Sequence, residues 1–106
     1  MTRYKFTGKL QELIERAEVG NSRDVDFIMG HLTIDSTFAM TRYVDFALSL
    51  VENEDGISQL KYYLFNGSLI QRNYCSLFFN RRCDWDIVDQ AFNQGLIDEI
   101  QAFSRK

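Results

Sequence analysis

Few residues in this chain can do chemistry. His31 is the single histidine, and Cys75 and Cys83 are the two cysteines. A histidine base needs a thiol or carboxylate brought to it by the fold, and no local pattern marks either cysteine as a nucleophile. His31 follows Gly30 at a helix end and reads as a capping or surface residue. One histidine and two spaced cysteines fall short of a zinc set without carboxylates. Glu52, Glu54 and Asp55 crowd before Gly56, but a helix–loop–helix calcium site needs an acid five places before its glycine, where Val51 stands. That run reads as a solvated loop at a helix end. Asp84 with Asp86, and Asp98 with Glu99, suit helix starts, where the dipole favours acids. The six glycines are isolated, so no phosphate cradle is formed. The expectation is a non-enzyme with no catalytic residue, metal or cofactor.

A basic band carries the main functional hint. Residues 1–55 hold ten acids and six bases, and residues 84–106 hold five acids and two bases. Between them, residues 56–83 hold Lys61, Arg72, Arg81 and Arg82 and no acid. These cations alternate with Tyr62, Tyr63, Tyr74, Phe78 and Phe79. Arg and Tyr are favoured at binding hot spots, and the same mixture can stack bases and pair phosphates. Tyr74 and Phe78 share one helical stripe and are expected inside. Phe79 lies about 100° away from Phe78 around a helix, and Tyr62 lies off the Leu60–Leu64 line, so both rings are expected outside. The candidate partner-binding residues are Lys61, Tyr62, Arg72, Phe79, Arg81 and Arg82.

The elements that must position these residues are legible from composition and period. A chain of 106 residues is expected to be one domain spanning 1–106. Hydrophobic residues make up 45% and aromatics 14%, enough for a core and too many for disorder. Apolar runs reach only about four residues, against about 20 for a membrane span. A net charge of −3 argues against non-specific binding to nucleic acid or anionic membrane. No apolar stretch of signal-peptide length follows Met1, and two cysteines suit a reducing compartment, so the cytoplasm is expected. On one helix, Cys75 and Cys83 would lie about 12 Å apart, beyond the reach of a disulfide. Asn66-Gly67-Ser68 fits a glycosylation sequon that has no secretion signal beside it.

The period is helical almost throughout. Leu10, Leu13, Ile14 and Ala17 mark a first helix stopped by Gly20, and Val25, Ile28 and Met29 a second ending near Gly30. Asp35-Ser36 predicts the cap of a long third helix over about 36–52, broken by the polar run 52–56. Ile57, Leu60 and Leu64 mark a fourth, ended by Asn66-Gly67. A hairpin turn at that dipeptide is the rival reading, but neither flank alternates for long. Ser68 and Gln71 form a capping box for a fifth helix carrying Ile70, Tyr74, Leu77 and Phe78 to about Arg82. Asp84 is expected to cap a sixth, with Trp85, Val88, Ala91 and Phe92 on one face. Gly95 ends it, and Leu96, Ile97, Ile100 and Phe103 predict a last helix.

Two stretches echo each other. One runs from Arg42-Tyr43 to Phe65-Asn66-Gly67, the other from Arg72-Asn73-Tyr74 to Phe92-Asn93-Gln94-Gly95. Their tyrosines are 31 positions apart. With Arg72, Cys75 at a small-residue position, Asp84 twelve places on, and Ile87-Val88, the second stretch resembles the HEAT-like helical-hairpin repeats. Asn80 and Arg82 depart from that pattern, and the first stretch, with Glu54 or Asp55 at the acid position, follows it loosely. The resemblance implies stacked hairpins, each burying a face its neighbour covers.

The sequence therefore predicts an all-α protein of six or seven short helices, stacked as antiparallel hairpins, HEAT-like or as an irregular bundle. The expected function is a non-enzymatic protein-interaction module that uses the aromatic and arginine face. Its partner is another protein or a second copy in a homodimer. Nucleic-acid binding or transcription regulation is the alternative, and no membrane partner is expected.

Overall fold

The computed structural model describes residues 8–102, which form seven helices and no strand. They are α1 Gly8–Val19, α2 Ser22–Met29, α3 Phe38–Leu48, α4 Glu54–Asn66, α5 Leu69–Arg81, α6 Trp85–Asn93 and α7 Glu99–Ala102. The all-α expectation holds, and the boundaries show which local forces set each end.

α1 stops where Gly20 turns with φ +68°, a left-handed angle that glycine adopts without penalty. The Asn21 side chain then accepts from the Asp24 amide, and the Asp24 carboxylate accepts from the Asn21 amide, a reciprocal cap that starts α2. The third helix is shorter than the predicted 36–52. Ser36 does not cap it, because its hydroxyl donates to the His31 carbonyl at 2.6 Å and accepts from the Thr33 amide at 2.7 Å. Thr37 caps α3 instead, accepting from the Met40 amide at 3.0 Å. At the other end, tight bonds from the Leu50 and Val51 amides to Ala47 and Leu48 close the last turn.

The polar run 52–56 is not a loop left in solvent. Asn53 caps α4, and Glu54, Asp55 and Gly56 form its first turn. The Asp55 carboxylate accepts from the Ser22 amide at 2.7 Å, and the Asn53 side chain donates to the Val19 carbonyl at 3.3 Å. Gly56 is buried against Gly20, and any Cβ there would run into the Gly20 carbonyl. The run thus pins the start of α4 onto the α1–α2 junction. Ser68 and Gln71 form the predicted capping box of α5. Asp84 stands at the start of α6 but makes no capping bond, because its carboxylate turns back to Arg82 Nε at 3.4 Å. Leu96 and Ile97 precede the last helix rather than opening it, and Phe103 lies outside the described residues.

One core threads all seven helices, from Leu13 and Ala17 in α1 to Ala102 in α7. α4 packs between α2 and α5; α1 lies on α2 and α3; α5 also meets α6, α7 and the edge of α3. The helices of the first echoed stretch, α3 and α4, sit mainly on different neighbours, whereas α5 and α6 pack on each other. The Cα radius of gyration, 13.3 Å, is what this length gives when fully collapsed.

Phe79 corrects an expectation. It is 0% exposed, at the centre of the core, edge-on to Phe78 with ring centroids 5.0 Å apart. α5 is covered on several sides at once, so a residue 100° off one apolar stripe meets another neighbour instead of water.

Candidate functional site

The chain leaves α5 through a tight reversal. The Cys83 amide donates to the Asn80 carbonyl and the Asp84 amide to the Phe79 carbonyl. That is the paired-bond helix ending that needs a left-handed residue, here Cys83 with φ 63°. The reversal lifts Arg82, Cys83 and Asp84 outward and sets Trp85 at the start of α6. α4 runs opposite. Between them lies a cleft of about 550 Å³, lined by Glu54, Ile57, Ser58 and Lys61 on one side and by Arg82 to Ile87 on the other. Trp85 is 40% exposed there, although its spacing with Val88 and Ala91 predicted an inward ring. Cations and carboxylates alternate around it, with Ile57 and Ile87 as apolar ground.

The six predicted residues do not form one surface. Lys61 and Arg82 both line this cleft, and Arg82 also leans over the Phe78 ring, 5.5 Å from its centroid. Tyr62 is exposed beside Lys61 and meets Tyr63 edge-on. Arg72 is tied into the scaffold: Nε donates to the Leu96 carbonyl at 2.7 Å and an Nη to the Gly67 carbonyl at 2.8 Å. Arg81 clasps Asp45 of α3 with two bonds, 2.9 and 2.7 Å, which raise its already high pKa. That pair borders a second hollow with Arg42, Phe46 and Ser49. Phe79 is in the core. Sequence reasoning missed Trp85 and Ile87, and the signal was a tryptophan in a helix's first turn between two acids, where burial is least complete.

Other reactive groups are occupied or dispersed. His31 Nδ1 lies 2.9 Å from the Phe27 carbonyl, with its ring edge-on to Phe27. Cys75 is buried and Cys83 exposed, and both are free thiols. Burial pushes the Cys75 thiol well above its ordinary 9.0, so it stays protonated. Partial burial, then the bond it donates to Asp26, pushes the Tyr63 hydroxyl up to about 12. Among the described residues no cluster of three or more His, Cys, Asp or Glu could hold a metal ion. No described helix is long and apolar enough to cross a membrane. No protein-family model, curated protein or solved structure matches this chain.

Proposed function

We propose that this chain is a non-enzymatic protein-interaction module and that the cleft between α4 and the α5–α6 reversal is its docking face. The observation that carries the reading is Trp85. A tryptophan 40% exposed, set in a cleft between charges of both signs, is the composition that anchors protein interfaces. Lys61 and Arg82, the members of the basic band that reach this cleft, supply charged rims for carboxylates of a partner. Docking covers Trp85, Ile57 and Tyr62 and leaves the charges at the edge.

The fate of the other arginines favours protein over nucleic acid. Arg72 and Arg81 are spent on internal carbonyls and on Asp45, so the basic band lays no continuous track of cations over the described surface. Two free thiols suit the reducing cytoplasm as the proposed compartment.

A photo-crosslinking side chain placed at Ser58 tests the reading. It should join the chain to a protein in cells, and Trp85→Ala should remove that product. The same probe at Glu15, on exposed α1 surface, should give none. Equal products from both positions, or a product indifferent to Trp85, would sink the proposal.

A further inference from the structure

We propose that the docking face is its own complement and that its occupant is the α4 helix of a second copy, laid antiparallel across the first. The inference rests on the cleft being the docking face and names what enters it.

α4 turns one exposed stripe toward the cleft and its mouth: Glu54, Ser58, Lys61 and Tyr62. Glu54 and Lys61 are seven residues apart, two helical turns, so they stand about 10 Å apart on nearly the same face. Neither makes an ion pair with any described residue. Read toward the C-terminus the stripe is acid, small, base; read backward it is base, small, acid. A two-fold axis passing between Ile57 and Ser58 therefore sets Glu54 against the second copy's Lys61 and Lys61 against its Glu54. Ser58 lies at the axis with little bulk, so the two helices can approach closely. Tyr62 falls across the second copy's first α4 turn, where Asn53 caps it. Trp85, Ile57 and Tyr62, all partly wet in the single chain, supply the apolar area that such a pairing covers. On the far wall Arg82 pairs with Asp84, and Asp86 completes the rim. The chain's net charge of −3 opposes this little, because the stripe is locally balanced and salt at physiological strength screens exposed charges beyond about 8 Å.

Sedimentation equilibrium of the full chain, with exchanged charges, tests the arrangement. The chain should dimerise. Glu54→Lys alone and Lys61→Glu alone should each weaken self-association at least about tenfold, because each turns both cross-axis contacts repulsive. Mixed together, the two variants should pair with each other as tightly as the parent chain pairs with itself, since both contacts are then between unlike charges. Circular dichroism checks that both variants fold. Should either fail, Glu54→Gln and Lys61→Gln keep the test alive, because both should flatten the salt dependence of the dimer. A dimer whose affinity ignores these positions, or variants that do not recover on mixing, overturns the proposal. A chain monomeric at every concentration also overturns it. In that case a Trp85-dependent crosslink from position 58 to a different protein would leave the docking face standing, and no crosslink would remove both.

Discussion

Cys83 occupies a backbone conformation that suits glycine. It is the sole non-glycine with positive φ among the described residues, and the two bonds of the helix ending hold it there. A side chain in that region costs roughly 1–2 kcal/mol, part of which glycine recovers. Cys83→Gly should therefore raise stability by about 1 kcal/mol, read as a higher urea midpoint at unchanged slope; a lower midpoint would mean that the thiol packs in a way its exposure denies. Phe79 teaches the opposite lesson about single positions. Its ring is fully buried in the core, so Phe79→Ala should cost about 3–5 kcal/mol, whereas Arg23→Ala, exposed on α2 away from the cleft, should change stability by less than about 0.5 kcal/mol. Calorimetry of both variants checks the contrast. The period of α5 showed Tyr74 and Phe78 turned inward but could not show Phe79 turned inward too. Helical spacing reports how many faces are apolar only when the others are polar, and on α5 Cys75, Phe78 and Phe79 spread burial around the axis.

At the scale of elements, legibility followed whether the signal was local. The capping box at Ser68, the stop at Gly20 and the apolar stripe of α1 are each contained within about two turns of chain, and each lies where the sequence predicted. The start of α4 is decided elsewhere. Glu54-Asp55-Gly56 reads as a break, yet it is helix, because Asp55 reaches Ser22 and Gly56 lets α4 press against the backbone of Gly20. No spacing within residues 50–60 contains that partner. The docking face was half visible for the same reason: Lys61 and Arg82 belong to the basic band, but only the fold brings Glu54 and Trp85 beside them. Gly56→Ala should cost about 3 kcal/mol despite the better helix propensity of alanine, since the new methyl meets a backbone carbonyl that cannot step aside. Arg72 makes a similar long-range tie. Its planar fork spans the Gly67 and Leu96 carbonyls, which a single ammonium does not match, so Arg72→Lys should recover little of what Arg72→Ala loses. Hydrogen exchange over residues 96–102 should quicken in both variants; protection unchanged from the parent would show that the tie does not hold that segment.

The whole molecule has an alkaline limit set in the layer of α2, α4 and α5. Tyr63 of α4 donates its hydroxyl to Asp26 of α2 at 2.8 Å, beside a bond from Gln59 to the same carboxylate oxygen. Partial burial disfavours the phenolate, and losing the proton would also break the bond to Asp26 and place two negative charges together, so the fold favours the neutral ring and moves its pKa from 10.0 to about 12. Cys75 of α5 is neutral for a simpler reason, burial, and its pKa also rises from 9.0. Both shifts are upward, so both contributions to stability are complete below the unfolded pKa values and lost as pH climbs through the folded ones. Stability should hold up to about pH 9, soften as the unfolded-state thiol ionises, and fall more steeply from pH 10 to about 12 as Tyr63 joins in. Tyr63→Phe should lose the Asp26 bond at every pH, lowering the plateau, and should make the limb between pH 10 and 12 shallower, because only the Cys75 thiol then drives it. Cys75→Ala should remove the softening near pH 9 and leave a limb that begins only at about pH 10, carried by Tyr63 alone. Urea midpoints across this range separate the two. If the parent chain kept a constant midpoint to pH 12, or if Tyr63→Phe fell along the same curve, the seam between α2 and α4 would not be what gives way.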